Sequence, residues 1–264
     1  MLEHIFHTPI GEPFIELQSI DSTNKYAINL AHNGLVQNGT VFFAHNQYAG
    51  KGQRGKLWTT EAGKNLTLSI VLNPYPLKLS DSFKLSYCVA VAVSDFLKNY
   101  CGNEIKIKWP NDIYWNDRKA GGILIENVVG SGASDVANWQ WAVVGIGINI
   151  NQTVFPDDLI NPVSLKKITG KEFDVLQLSK ELCSHLEKYY SQLIADTSNS
   201  IFYQYLDSLY KKNEKVKLKK MNRIFEVTIK GVSKNGQLIT QHAIEEVFEF
   251  GEVEWLIDKT DVDS

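Results

Sequence analysis

The chain has 264 residues, of which 44% are hydrophobic, and its 27 basic and 30 acidic side chains give a net charge of −3. This length is enough to bury a full core in one large domain and one small one. The near-neutral charge argues against a dedicated nucleic-acid binder, and no apolar run approaches the length of a membrane span. Three widely spaced cysteines without a C-x-x-C pair, and an N-terminus without a leader pattern, favour a cytoplasmic protein with reduced thiols.

The first predicted elements are a strand and a helix joined by a polar junction. Apolar and polar residues alternate over residues 15–18, and the four residues Asp-Ser-Thr-Asn at 21–24 can cap the helix that follows. Such a junction directs free N–H groups and the positive end of the helix at whatever lies above it. Ser22 and Thr23 are therefore candidates to hydrogen-bond a ligand oxygen, although capping alone is the commoner role of such residues.

A predicted buried strand over residues 40–44 leads into a basic segment, residues 47–58, which we call the glycine loop. It contains three glycines and three cations: Gly50, Lys51, Gly52, Arg54, Gly55 and Lys56. Glycines allow backbone N–H groups to approach a ligand closely, and the cations supply charge for a phosphate or carboxylate. The loop predicts an anion site, with a solvated hairpin loop as the alternative.

The middle of the chain alternates strands with a long core helix. Apolar alternation predicts strands over residues 66–72, 105–109, 113–115, 122–126 and 139–150. Residues 82–100 have helical periodicity, with Cys88 in the core, and residues 130–138 have loop composition. Gly145 and Gly147 resemble the start of a dinucleotide fingerprint, but the third glycine and the following helix are missing.

The C-terminal part changes character after three predicted helices, which begin at residue 165, cover residues 175–194 and cover residues 201–210. From residue 214 onward, about five short strands separated by turns predict a small SH3-like β-barrel. We therefore predict two domains, residues 1–212 and 213–264.

Four stretches carry unusual residue combinations: the glycine loop, Lys-Trp-Pro-Asn-Asp (108–112), Arg-Lys-Ala-Gly-Gly-Ile-Leu-Ile-Glu (118–126) and Gly-Ile-Gly-Ile-Asn (145–149). Preceded by residues 21–24, their order resembles the catalytic domain of biotin protein ligases over residues 21–151. The resemblance implies an α+β fold, with a mixed or antiparallel-sheet catalytic domain of the class II synthetase-like biotin/lipoate ligase type and a small C-terminal SH3-like β-barrel. About a dozen residues precede the first strand, so we expect no N-terminal DNA-binding domain and no nucleic-acid partner.

The resemblance also implies a two-step reaction with ATP and Mg²⁺. Biotin is activated to biotinyl-5′-AMP and is then transferred to a lysine of a biotin carboxyl carrier protein, such as that of acetyl-CoA carboxylase. The implied biotin contacts are Ser22, Thr23, Asn24, Gln47, Gly50, Lys51, Gly52, Gln53, Lys119 and Gly122. The implied ATP or adenylate contacts are Arg54, Lys56, Trp58, Asn111 and Asn149. Arg54 and Lys119 would be the catalytic charges, and Asp112 is the candidate Mg²⁺ ligand.

The glycine loop departs from the family pattern. The usual loop is Gly-Arg-Gly-Arg-x-Gly-Arg, whereas residues 50–56 are Gly-Lys-Gly-Gln-Arg-Gly-Lys. Lysine keeps the charge but loses the bidentate fork of arginine, and Gln53 loses the charge. This leaves Arg54 as the expected phosphate clamp and leaves the roles of Lys51 and Gln53 open.

Two other functions compete with biotin ligation. One is a lipoate ligase or octanoyltransferase of the same fold, which we would expect to lack the 108–112 stretch and the C-terminal barrel. The other is a non-catalytic module whose barrel recruits peptides and whose glycine loop binds nucleic acid; the near-neutral charge argues against it.

Overall fold

The computed structural model describes residues 8–130, 138–195 and 199–257. The strands in these ranges are β1 (Phe14–Leu17), β2 (Val41–Ala44), β3 (Leu66–Leu72), β4 (Ile105–Lys108), β5 (Asp112–Trp115), β6 (Arg118–Gly130), β7 (Asn138–Ile148), β8 (Lys215–Lys220), β9 (Arg223–Val232), β10 (Leu238–Gln241), β11 (Glu245–Phe248) and β12 (Glu254–Leu256). The α-helices are α1 (Thr23–His32), α2 (Ser82–Cys101), α3 (Leu165–Thr169), α4 (Val175–Ile194) and α5 (Asn199–Asp207). Of the loop predicted at 130–138, residues 131–137 lie outside the described residues.

Seven strands form the main sheet, in the order β1-β2-β3-β7-β6-β5-β4. β1 and β2 are parallel and the other neighbouring pairs are antiparallel, so the sheet is mixed, as predicted. Alternate residues of β7 face opposite sides: Val144 and Ile146 join the large core with α2 and α4, whereas Val143 packs with Ala27 and Ala31 of α1. The sheet is therefore covered by α2 and α4 on one face and by α1 on the other.

β3 is buried along its whole length, although its alternation also fits a strand with one exposed face. Its apolar residues, such as Leu68 and Ile70, face the large core. The polar residues Thr67 and Ser69 lie on the α1 face and are also buried. The Thr67 hydroxyl donates to the Ala44 carbonyl at 2.7 Å. The alternation thus separates an apolar core from a buried polar layer, because α1 covers the second face.

The smaller sheet has five antiparallel strands in the order β11-β10-β9-β8-β12, which confirms the predicted C-terminal β-domain. Leu209 bridges to β4 of the main sheet, and Lys212 bridges to β9 of the small one. This change of partner supports a domain division after Lys212, which we retain as a proposal. The sheets also meet where the buried Trp109 indole donates to the Gly236 carbonyl at 2.8 Å.

The last helix ends earlier than its apolar pattern predicts. α5 stops at Asp207, and the residues after it pair with β4: the Ile107 N–H donates to the Ser208 carbonyl at 2.8 Å, and the Tyr210 N–H donates to the Ile107 carbonyl at 2.9 Å. Apolar residues at 209–210 continue the helical pattern, but the backbone here forms its hydrogen bonds with the edge strand β4 instead of continuing the helix.

The cysteine side chains match the reduced thiols predicted from the sequence. All three cysteines are free thiols; Cys88 and Cys183 are buried, and burial raises the pKa of both. Such thiols pack as small apolar groups and are poor nucleophiles. None of the helices in the described ranges is long and apolar enough to cross a membrane.

Candidate active site

A buried polar network lies where α1 begins, above β3 and β7. Ser22 caps α1. Thr23 donates its backbone N–H at 2.7 Å and its hydroxyl at 2.9 Å to the same Gln47 side-chain oxygen. The Ser69 hydroxyl lies 2.7 Å from the Thr23 hydroxyl and 2.5 Å from the Asn24 side-chain oxygen. Four predicted biotin residues are thus brought together, and all are buried.

The network continues to the glycine loop through Glu126 on β6. The Asn24 amide donates to one carboxylate oxygen of Glu126 at 2.9 Å, and the other oxygen lies 3.3 Å from the Lys51 amine. Neither Glu126 nor Ser69 was predicted as a site residue. Glu126 left a signal in the sequence, because it ends the unusual stretch 118–126. Ser69 left none, because it occupies a regular polar position in the alternating strand β3.

Glycines form the floor of this face of the sheet. A Cβ atom on Gly145 would overlap the Asn24 side chain, and one on Gly147 would overlap the Trp58 indole. Residues 145–148 therefore form the end of β7, where the missing side chains of Gly145 and Gly147 make room for α1 and the loop, and not a dinucleotide-binding turn.

Lys119 lies next to this floor, beside a bulge in the pairing of β5 with β6. Its amine is 2.7 Å from a carboxylate oxygen of Asp112 and 5.8 Å from the centre of the Trp58 ring. Its backbone is fixed on the other side, since its N–H donates to the Asn161 carbonyl and its carbonyl accepts from Val163. The buried Trp58 indole N–H has no hydrogen-bond partner among the described residues.

Asn111 and Asn149, both predicted as nucleotide contacts, donate to the protein backbone. The Asn111 amide donates to the Ile123 carbonyl, and the Asn149 amide donates to the Val163 carbonyl at 3.1 Å. These bonds shape the backbone around Lys119. Direct contact of either side chain with a nucleotide stays a prediction.

The glycine loop folds as a tight hairpin. The Gly52 N–H donates to the Lys56 carbonyl at 2.7 Å, and the Trp58 N–H donates to the Gly50 carbonyl at 2.9 Å. Arg54 is exposed and has a left-handed backbone, with φ of 55°. Its guanidinium lies against Gly251 in the turn before β12, where an added Cβ would be 3.4 Å from the guanidinium carbon. The loop therefore contacts the small domain.

The residues around Asp112 can hold Mg²⁺ only with help from a ligand. Over the described part of the chain, three His, Cys, Asp or Glu side chains nowhere come together as a metal site. Asp112 is a single carboxylate, with one oxygen bound to Lys119. A single carboxylate fits an Mg²⁺ ion whose other ligands are nucleotide phosphates and water. The Mg²⁺ assignment stays a prediction.

Lys108, the last residue of β4, lies between two aromatic rings from different domains. Its amine is 5.4 Å from the centre of the Tyr114 ring and 5.3 Å from that of Trp255 on β12. Burial, which outweighs the attraction of Asp112, lowers the pKa of Lys108 to about 8. This lysine belongs to the unusual stretch 108–112, but no role was predicted for it.

The fold and the site together define a class of protein. Residues 16–149 match the model of the biotin/lipoate A/B protein ligase family, so the chain belongs to that family. It is 35% identical over 185 residues to a biotin–[acetyl-CoA-carboxylase] ligase of Paracoccus denitrificans, covering 67% of this chain and 72% of that one. It is 33% identical over 184 residues to the bifunctional ligase/repressor BirA of Bacillus spizizenii, covering 69% of this chain and 54% of that one.

Solved structures share the fold. A biotin protein ligase from Aquifex aeolicus, in complex with biotin and ATP, superposes with a TM-score of 0.76 at 24% identity, covering 93% of this chain and 99% of that one. The same protein without ligand superposes with a TM-score of 0.71 at 22% identity, covering 93% and 99% of the two chains. Our chain spans only about half the length of several curated relatives, 54% of the BirA protein of Bacillus subtilis among them.

Proposed function

We propose that this protein is an ATP-dependent biotin protein ligase, which activates biotin to biotinyl-5′-AMP and transfers it to a lysine of a biotin carboxyl carrier protein. The observation that carries the proposal is the position of Lys119, with its amine 2.7 Å from Asp112 and beneath Trp58. An amine between a buried polar pocket and a basic loop can neutralise a carboxylate and a phosphate together. The names of the Paracoccus relative and of the Aquifex complex with biotin and ATP support this choice.

The buried network is the proposed biotin end of the site. Biotin combines an apolar ring and chain with one ureido group that both donates and accepts hydrogen bonds. Thr23, Asn24, Gln47 and Ser69 offer hydroxyls and amides within a water-excluded layer. Such a pocket favours a ligand whose few polar atoms match its own.

In the first step, an oxygen of the biotin carboxylate attacks the α-phosphorus of ATP. The new P–O bond replaces the bond to the β-phosphate, and pyrophosphate leaves with the electron pair. Lys119 holds the carboxylate and the α-phosphate, whose charges otherwise repel each other, and Arg54 and Lys56 add positive charge from the loop. Mg²⁺, held by the phosphates and Asp112, would supply further neutralisation of phosphate charge.

In the second step, the lysine amine of the acceptor attacks the acyl carbon of biotinyl-5′-AMP, the C–O bond to AMP breaks, and an amide remains. The nucleophile belongs to the acceptor, so the residues of this chain contribute orientation and charge. Trp58 covers Lys119 and would limit access of water to the mixed anhydride. We further propose a cytoplasmic location, which the free thiols support.

A pyrophosphate-release assay distinguishes the candidate functions. We expect release when the protein is incubated with ATP, Mg²⁺ and biotin, and none when lipoate replaces biotin. Release with lipoate would favour the lipoate ligase, and no release with either acid would favour a binding module.

A lysine variant tests the site itself. Lys119→Met should lower biotin-dependent release by about a hundredfold or more, because it removes the charge at the reacting centre. Lys64→Met, which changes a lysine paired with Glu172 outside the proposed site, is the matched control. Equal activity of the two variants would reject Lys119 as the catalytic charge.

A further inference from the structure

Lys108 lies on the same face of the sheet as the proposed reaction centre. In the strand register Lys108 pairs with Asp112, Asp112 pairs with Gly122, and Gly122 pairs with Gly147. Directly paired residues on neighbouring strands direct their side chains to the same face. The Lys108 side chain therefore emerges on the face where Trp58 covers Gly147.

Along this face, Lys108 lies at the end opposite to the biotin pocket. The buried network sits above β3 and β7, Lys119 is on β6, and Lys108 is on β4 at the edge of the sheet. Strand spacing places β4 about 14 Å from β7 and about 10 Å from β6. A biotin in the network with its carboxylate at Lys119 leaves the nucleotide to extend towards β4.

The surroundings of the Lys108 amine fit an anion. Two ring faces hold the amine, an arrangement that attracts a cation without neutralising it. The charged groups that act on the amine are Asp112, Lys119, Lys56 and Glu254. With Lys108 this makes three amines and two carboxylates, and the Asp112 carboxylate is already paired with Lys119. The cluster has one excess positive charge.

Resting on the proposed function, we infer that Lys108 binds the β- and γ-phosphates of the nucleotide and stabilises the pyrophosphate as it leaves. As the bond between the α-phosphorus and the bridging oxygen breaks, the electron pair stays on pyrophosphate, next to the Lys108 amine. Trp255 is a positioning residue, through which the small domain holds the amine in place.

Substitution of Lys108 should affect the two half-reactions differently. Lys108→Met should raise the KM for ATP and for pyrophosphate about ten- to a hundredfold in biotin-dependent ATP–pyrophosphate exchange, as expected for loss of a bond to a charged group. It should leave transfer from added biotinyl-5′-AMP to the acceptor unchanged within about twofold, because pyrophosphate has already left. Lys108→Arg, which keeps the charge, should recover part of the loss. Lys106→Met, two residues earlier on the same strand, is the matched control.

Three results would overturn the inference. They are equal KM values in Lys108→Met and Lys106→Met, an equal loss in both half-reactions, or a Lys108→Arg variant no better than Lys108→Met. Thermal unfolding checks that each variant folds, and Lys108→Gln replaces the methionine variant if that one does not.

Calorimetric titration with Mg²⁺-pyrophosphate needs no turnover, so it tests Lys108 apart from the proposed function. Weaker binding by Lys108→Met than by the wild type supports the inference even if the wild type shows no biotin-dependent exchange. Equal binding contradicts it.

Discussion

At the scale of single residues, the three cations of the glycine loop act at three different places. Lys51 is paired with Glu126, Arg54 lies against Gly251, and Lys56 is among the charges that act on Lys108. The loop is therefore more than one undivided patch of positive charge. In the register of the family loop, Arg54 occupies the variable position and Gln53 occupies that of the second arginine. This makes the division of roles between these two neighbours a decisive test.

We predict that Arg54→Ala lowers biotin-dependent ATP–pyrophosphate exchange by about a hundredfold and that Gln53→Ala lowers it less than about threefold. Arg54 supplies a planar fork suited to phosphate, whereas Gln53 has no charge to lose. Arg223→Ala, at the start of β9, is the control for loss of an arginine outside the site. Similar exchange rates for the two loop variants would show that Arg54 is not the phosphate clamp.

At the scale of elements, β7 shows how a strand can serve a core and a site together. Val144 and Ile146 pack into the large core on one face. On the other face, Gly145 and Gly147 let Asn24 and Trp58 approach the backbone. The strand loses packing area and gains two close contacts with the site. Glycine inside a strand is generally a weakness, unless another group needs the space.

Gly147→Ala tests this use of space. The added methyl group would overlap the Trp58 indole, so we expect the ring to move away from Lys119. We predict a loss of about 1–3 kcal/mol in the free energy of unfolding, as for other overpacked sites, and a clear loss of exchange activity. Denaturant unfolding and the exchange assay measure the two effects.

The control for that substitution is Gly231→Ala, in β9. The nearest atom to its added methyl would be a Leu206 methyl carbon at 3.9 Å, which is an ordinary contact. Full activity in Gly231→Ala together with full activity in Gly147→Ala would mean that the Trp58 position does not matter for the reaction.

At the scale of the whole molecule, the sequence predicted the elements and missed the contacts between distant ones. Helix α2 and the strands followed from periodicity, and the small β-domain followed from the spacing of short strands. Ser69 and Glu126 escaped because their partner Asn24 is 45 residues from the first and 102 from the second. The contact of Trp255 with Lys108 was also missed, because the residue pattern of a strand does not reveal which surface of another domain the strand packs against. Tertiary pairing of this kind depends on sheet order, which periodicity alone does not encode.

Asp117 offers a test of how the connection between the two domains is held. It lies in the turn between β5 and β6, where it accepts a hydrogen bond from Tyr210 at 2.7 Å and pairs with Lys211 at 3.0 Å. Partial burial works against the charged carboxylate, but these two partners outweigh it and lower the pKa of Asp117. A carboxyl whose folded pKa lies below its unfolded value of about 3.9 stabilises the protein above that pH, and this stability is lost as pH falls through the folded pKa.

We therefore predict that Asp117→Asn lowers the free energy of unfolding by about 0.5–1 kcal/mol at pH 7, a modest value because the side chain is 45% exposed. The difference from wild type should shrink as pH falls below about 3.9, where the unfolded carboxyl binds protons first, and should be lost as pH falls through the lower folded pKa. Asp207→Asn removes a carboxylate that pairs with Lys212 but is 80% exposed, so it should change stability little at either pH. Urea unfolding at pH 7 and pH 3 measures both variants. A pH-independent loss in Asp117→Asn would mean that packing of the turn, and not the ionised carboxylate, holds Tyr210 and Lys211 against the main sheet.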